Sequence, residues 1–275
     1  MANTPANWYP DPMGRFELRY WDGSQWTANV STGGQQSSDP LEGSNGTVSV
    51  NTSADQIRTQ VADTGIRGAG ITQPVAQGGG TLFSEPVLVV NQKAKLIEVT
   101  NQYAVFNKDG AQIGSVNEVG QSAAKKILRV VSNLDQFMTH KLEVRDAAGQ
   151  PQLVLTRPRK VFKSTLLVET PAGQEIGRIV QENMIGKIHF RLEAGGQTLG
   201  AIKAENWRAW NFRIEDAAGQ EIARITKTWE GLAKAMFTTA DNYVVQLHTD
   251  IPQPLLSLVV ASALSVDTAL KQDSN

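Results

Sequence analysis

The 275-residue chain contains no cysteine. That absence excludes a disulfide framework, a thiolate metal site and cysteine lipidation. Histidine is scarce: His140, His189 and His248 are the only three, and their spacing suits no metal. The chain has no His-Glu-x-x-His, Walker-type loop or Gly-x-Ser-x-Gly. Its glycine run, Gly78-Gly79-Gly80, ends a polar segment and opens no helix, so it does not read as a phosphate loop. Neither sign of charge is in excess, with 26 basic against 27 acidic residues, so no global nucleic-acid footprint exists. Residues 1–20 lack the basic and apolar regions of a signal peptide. These absences predict a protein that is not an enzyme, carries no cofactor and works in the cytoplasm.

The C-terminal stretch is the most informative part of what is present. Leu255 to Leu270 reads LLSLVVASALSVDTAL, a helix with hardly a polar face. A helix that is apolar all round is buried, in protein or in lipid. A run of about 17 residues interrupted by Asp267 is at the short limit for spanning a bilayer. The segments before it read as strands, so a β shell wrapped around this helix accounts for it better.

Composition divides the chain into three parts: a Trp-rich minidomain at 1–30, a Gly/Ser/Thr/Gln-rich stretch at 31–80, and an apolar-patterned region at 81–275. The middle part has few large apolar side chains to offset chain entropy and is predicted to be a flexible linker, with a weak helical pattern at 56–62. In the third part Gly-Gln recurs at 149–150, 173–174, 196–197 and 219–220. An acid stands shortly before each, at Asp146, Glu169, Glu193 and Asp216, and a looser copy spans Asp109 to Gln112. Asp and Gly between apolar runs are hairpin chemistry. Ile188, Phe190 and Leu192 alternate with polar neighbours, as do Trp210, Phe212 and Ile214. The recurring Ile-Gly-x-Ile breaks that period, and a bulge at the small residue would restore it while curving the sheet. The predicted fold is mainly β: a closed antiparallel barrel of about a dozen short strands around a buried helix at 254–270.

The Asp-x-x-Gly-Gln hairpins, the strand beginning Ala240-Asp241-Asn242-Tyr243 and the closing apolar helix together resemble the phospholipid scramblase family. That family is related to the LURP-one proteins and the Tubby C-terminal domain. The resemblance covers about 82–271 and implies a barrel of about twelve strands threaded by the helix. Residues 7–27, NWYPDPMGRFELRYWDGSQWT, resemble a short actinobacterial domain of unknown function.

The scramblase resemblance brings with it a calcium-binding segment at Asp241 to Asp250. Thr239 stands where the family has another acid, which leaves Asp241 and Asp250 alone. Calcium takes six to eight oxygen ligands, so a structural role, in a turn and at the start of the helix, is the favoured reading. Arg157, Arg159, Lys160 and Lys163 form a basic cluster around Phe162, with Lys125, Lys126 and Arg129 upstream. Such a cluster either binds lipid headgroups or forms a solvated hairpin face. In the related Tubby domain a basic pocket binds phosphoinositide, so the resemblance implies a headgroup site here. Trp8, Trp21 and Trp26 read as the core of a small sheet, with a peptide-recognition surface as the alternative. The predicted function is scramblase-like: association with anionic phospholipid at the inner membrane face, with transbilayer lipid movement implied by the family. The competing reading is a soluble ligand-binding or adaptor module on the same barrel.

Overall fold

The computed structural model describes residues 5–12, 16–24, 26–38, 52–65, 68–92, 102–119, 140–158, 165–182, 189–205, 211–228 and 242–270. Four short strands come first: β1 (Asn7–Pro10), β2 (Leu18–Trp21), β3 (Trp26–Thr32) and β4 (Gln35–Ser38). They form one antiparallel sheet in chain order. Register sets Trp8 opposite Tyr20 and Trp21 opposite Trp26, and both pairs meet edge to face. At the sheet's centre Arg19 donates to Asp11 at 2.8 Å, and both side chains are fully shielded from solvent. Asp11 also accepts from the Phe16 amide, and Arg19 reaches the Thr27 carbonyl. A buried charge is tolerated when paired and hydrogen-bonded in this way. The minidomain extends past residue 30: Gly33 and Gly34, both at positive φ, turn β3 into β4.

The stretch 31–80 is therefore not a uniform linker. It contains β4 and helix α1 (Ala54–Ala62). Ser53 caps α1 by accepting from the Gln56 amide, and the Gln56 side chain accepts from the Ser53 amide. Ile57 and Val61 are buried against Val87, Val89, Ala104, Phe106 and Val244. Gln60, also buried, exchanges hydrogen bonds with Asn91 and donates to Thr228. A segment with few apolar residues is ordered here because those few fit one prepared stripe on the strands that follow. The chain divides into two compact units, the first holding β1–β4 and the second α1 and every described element after it.

The second unit is a closed barrel of twelve strands. They are β5 (Val87–Gln92), β6 (Gln102–Asn107), β7 (Gln112–Val119), β8 (His140–Asp146), β9 (Pro151–Arg157), β10 (Thr165–Glu169), β11 (Glu175–Gln181), β12 (His189–Ala194), β13 (Gln197–Ala204), β14 (Asn211–Asp216), β15 (Glu221–Thr228) and β16 (Asn242–Leu247). Each pairs antiparallel with the next, and β16 closes the ring on β5. Helix α2 (Leu255–Leu270) follows. Leu258, Val259, Val260, Ala261, Ala263 and Leu264 are buried in one core with inward residues from the strands, among them Leu88, Val144, Leu192, Ile214 and Val245. Fully burying an aliphatic side chain is worth about 1.5–3 kcal/mol, so this contact decides where the helix lies.

The repeat has a common physical cause. The amides of Asp146 and Asp216 donate to the Gln150 and Gln220 carbonyls, and Gly149 and Gly219, at φ 78° and 80°, donate back. The Asp146 and Asp216 carboxylates accept from the amides two and four residues on. Thr170 and Asn107 make the equivalent turns. In the second copy the turn-forming residue is thus Thr170, one position after Glu169. Past four of the five turns one residue bulges before a small one: Ile113, Ile176, Leu199 and Ile222 lie outside the pairing, each directly before Gly114, Gly177, Gly200 or Ala223, whereas after the Asp146 turn Gln152 bulges before Leu153. The small residue is required by close approach. A Cβ on Gly177 would stand 2.3 Å from the Glu193 carbonyl, and one on Gly200 the same distance from that of Glu215.

Candidate lipid-binding site

The barrel has two unlike ends. At one, the turns after β6, β8, β10, β12 and β14 span two to five residues each. Their charged residues are Lys108 and Asp109, and none is aromatic. The chain comes into β5 and leaves β16 toward α2 at this same end. From the other end depart the links between β5 and β6, β7 and β8, β9 and β10, β11 and β12, β13 and β14, and β15 and β16. By sequence these links carry eleven Lys and Arg against six Asp and Glu. They also hold Trp207, Trp210 and Trp229, the three tryptophans outside the minidomain.

The links that carry the two predicted basic groups thus leave the described strands at the same end. Lys125 and Lys126 belong to the β7–β8 link, and Arg159, Lys160 and Lys163 to the β9–β10 link; all five lie outside the described residues. Arg157 is described, and it is not a surface cation. It occupies the last position of β9, facing inward in alternation with Leu153 and Leu155, and is only 6% exposed. Asp250 is exposed in the segment between β16 and α2. Asp241 lies outside the described residues. No group of three or more His, Asp or Glu among the described residues could hold a metal ion.

Two features escaped the sequence reading. The inward faces of β7, β9, β11 and β15 change from apolar to polar at the long-link end, at Glu118, Arg157, Gln181 and Lys227. Each has a partner. Extending the alternation to the last residue of each strand would have found them. Second, the outer wall of β11–β15 carries a belt of matched charges. Arg191 pairs with Glu182 and Glu193, Lys203 and Arg213 with Glu215, and Arg224 with Glu221 and Glu205. His189 adds an Nδ1 contact to Glu182 at 3.1 Å. The Lys203 ammonium, hydrogen-bonded at 2.5 Å, holds the Glu215 carboxyl below its ordinary range. The Arg178 hydrogen bond does the same for Glu175. A neutralised wall attracts anions weakly, and by sequence the long links carry an excess of basic over acidic residues.

The sequence profile described as Scramblase matches residues 69–270. The chain belongs to this family. A second profile, a protein of unknown function (DUF2510), matches residues 6–39. Helix α1 falls between the two matches. A phospholipid scramblase family protein of Schizosaccharomyces pombe is 23% identical over 192 residues, covering 63% of this chain and 49% of that one. The chain thus spans about half the length of this relative. The Saccharomyces cerevisiae protein named altered inheritance rate of mitochondria protein 25 is 22% identical over 239 residues, covering 68% of this chain and 71% of its own. Among solved structures, an Arabidopsis thaliana protein is 11% identical at a TM-score of 0.40, covering 69% of this chain and 99% of that one. No helix among the described residues is long and apolar enough to cross a membrane.

Proposed function

We propose that this scramblase-family protein associates with membranes by binding anionic phospholipid headgroups, as a peripheral, non-enzymatic protein of the inner face that needs no cofactor. The observation that carries the reading is the departure of both basic groups, Lys125/Lys126 and Arg159/Lys160/Lys163, from one end of the barrel. Each cation near an anionic surface contributes about 1 kcal/mol. The barrel interior is not a conduit for lipid: its body is filled by apolar side chains packed on α2, whereas a headgroup crossing hydrocarbon needs a polar path. Any transbilayer movement that accompanies binding therefore runs outside the barrel.

Cosedimentation with vesicles tests the reading. The wild type should bind phosphatidylserine-containing vesicles, should ignore pure phosphatidylcholine, and should be released as salt shortens the Debye length from about 10 Å at 0.1 M to 3 Å at 1 M. An Arg159/Lys160/Lys163 triple Ala variant should bind at least tenfold more weakly. Equal binding by the two proteins removes the β9–β10 link from the site. Absence of binding by the wild type removes the lipid reading and leaves a soluble binding or adaptor module.

A further inference from the structure

We propose that the four-stranded sheet binds an extended, proline-containing peptide with basic ends, on the face that holds Trp8 and Tyr20. This site belongs to the first unit and is independent of the lipid-binding reading of the barrel. Register gives the sheet two unlike faces. Residues opposite each other in antiparallel strands share a face, and so do residues two apart along a strand. One face therefore holds Tyr9, Arg19 and Val30 with Trp21 and Trp26. Arg19 and Val30 are fully buried there, and Trp26 meets both Tyr9 and Trp21 edge to face. The other face holds Trp8, Pro10, Leu18 and Tyr20. Trp8 and Tyr20 are half-buried and Pro10 is exposed. Leu18, at 37%, is the one exposed large apolar side chain among the described residues. The tryptophan cluster read from the sequence is thus split: Trp21 and Trp26 serve the packed side, and Trp8 stands on the open one.

The chemistry of the open face selects the ligand. Trp8 and Tyr20 stand 5.3 Å apart with their rings at 62°, which makes a notch rather than a flat platform. Pro10 and Leu18 form a second apolar station two residues along the strands, about 6.8 Å away. A polyproline II segment advances about 6.2 Å in two residues, so alternate prolines reach the two stations. The Trp8 amide donates to Asn7 and the Tyr20 carbonyl accepts from Thr27. The Trp8 indole N–H and the Tyr20 hydroxyl donate to no described residue, so both can serve a ligand. A proline segment answers with carbonyl acceptors and no N–H of its own, and such segments dock in aromatic-lined grooves at low entropic cost. Charge complementarity sets the ends of the peptide. Among the described residues of this unit the exposed charges are Glu17 and Asp22, both acidic, one at each end of β2. Its one described cation, Arg19, is sealed against Asp11. An acidic rim attracts a basic peptide and repels an anionic bilayer.

Proton–nitrogen NMR of the full-length chain without lipid tests this, because each tryptophan indole gives its own resonance. The probe is an oligoproline peptide flanked by lysines. It should shift the Trp8 indole resonance with sub-millimolar affinity and leave those of Trp21 and Trp26 in place. The same peptide flanked by glutamates should bind several-fold more weakly, and the difference should shrink in high salt. Leu18→Ser and Tyr20→Phe should each weaken binding of the lysine peptide several-fold. Leu18 is exposed, and Tyr20→Phe keeps the ring against Trp8, so both variants should keep the sheet folded, as unchanged Trp21 and Trp26 resonances would show. No shift at millimolar lysine peptide overturns the proposal. Wild-type affinity in both variants overturns it as well, and so does equal or tighter binding of the glutamate peptide. Phosphatidylserine-containing vesicles supply the last arm: Leu18→Ser should bind them as the wild type does. A loss of vesicle binding in this variant alone would make the face a membrane anchor and overturn the peptide reading.

Discussion

Glu215 lies on the outer wall with its side chain only 8% exposed, between Lys203 and Arg213. Its carboxyl titrates below its ordinary range, first because of the Lys203 hydrogen bond. A depressed carboxylate contributes stability that is fully present above the unfolded value near pH 4.3 and is lost as pH falls through the lower folded value. Glu215→Gln should therefore destabilise the protein at pH 7 by on the order of 1 kcal/mol or less, since both cations are part-exposed. The difference should close between about pH 5 and 3, as urea denaturation at several pH values would show. A gap that stays constant down to pH 3 would mean that packing rather than charge is lost. Single residues were also where the sequence was hardest to read. Arg157 stands among four cations in seven residues, and that density reads as a solvated surface. The strand parity set by Leu153 and Leu155 decides its side instead, and turns it into the barrel mouth.

Among the elements, α2 was legible because its composition admits one environment only. Val260 is fully buried, so Val260→Asp places an unpaired charge among Leu, Val and Ala. It should cost several kcal/mol. Thermal melting of the variant checks this, and an unchanged midpoint would place the helix outside the core. The β-hairpins were legible for a related reason: Asp-x-x-Gly-Gln specifies a turn locally, and the Ile-Gly pair after it specifies the bulge. Helix α1 was barely so, because two large apolar residues in nine are a weak pattern. Its order comes from partners far along the chain. Gln60 bonds Asn91 and Thr228, and Ile57 finds Phe106 and Val244. Its local signs were the weak helical pattern at 56–62 and the Ser53–Gln56 capping box.

For the whole molecule, the position of α1 changes where the second unit begins. A fragment starting at residue 82 would keep every barrel strand but would uncover Val87, Val89, Ala104, Phe106 and Val244. Burial of Ile57 and Val61 is worth on the order of 3 kcal/mol. A 52–275 fragment should therefore melt well above an 82–275 fragment, and equal melting would show that α1 adds nothing. The number and antiparallel order of the strands followed from evenly spaced turns. Closure of β16 on β5 had no local sign, since it joins Val245 to Leu88 across the length of the barrel. That closure has a consequence for how the protein is made. The strand that seals the ring and the helix that fills it are translated after the other eleven barrel strands. Twelve barrel strands leave the ribosome before the helix that fills them exists, each with an apolar inner face and nothing to cover it. The barrel cannot be completed until α2 has been made, and a chain cut short before Leu255 has a wall but no interior. The nascent protein thus passes through a stage in which exposed inner faces invite aggregation, and it leaves that stage only when α2 arrives.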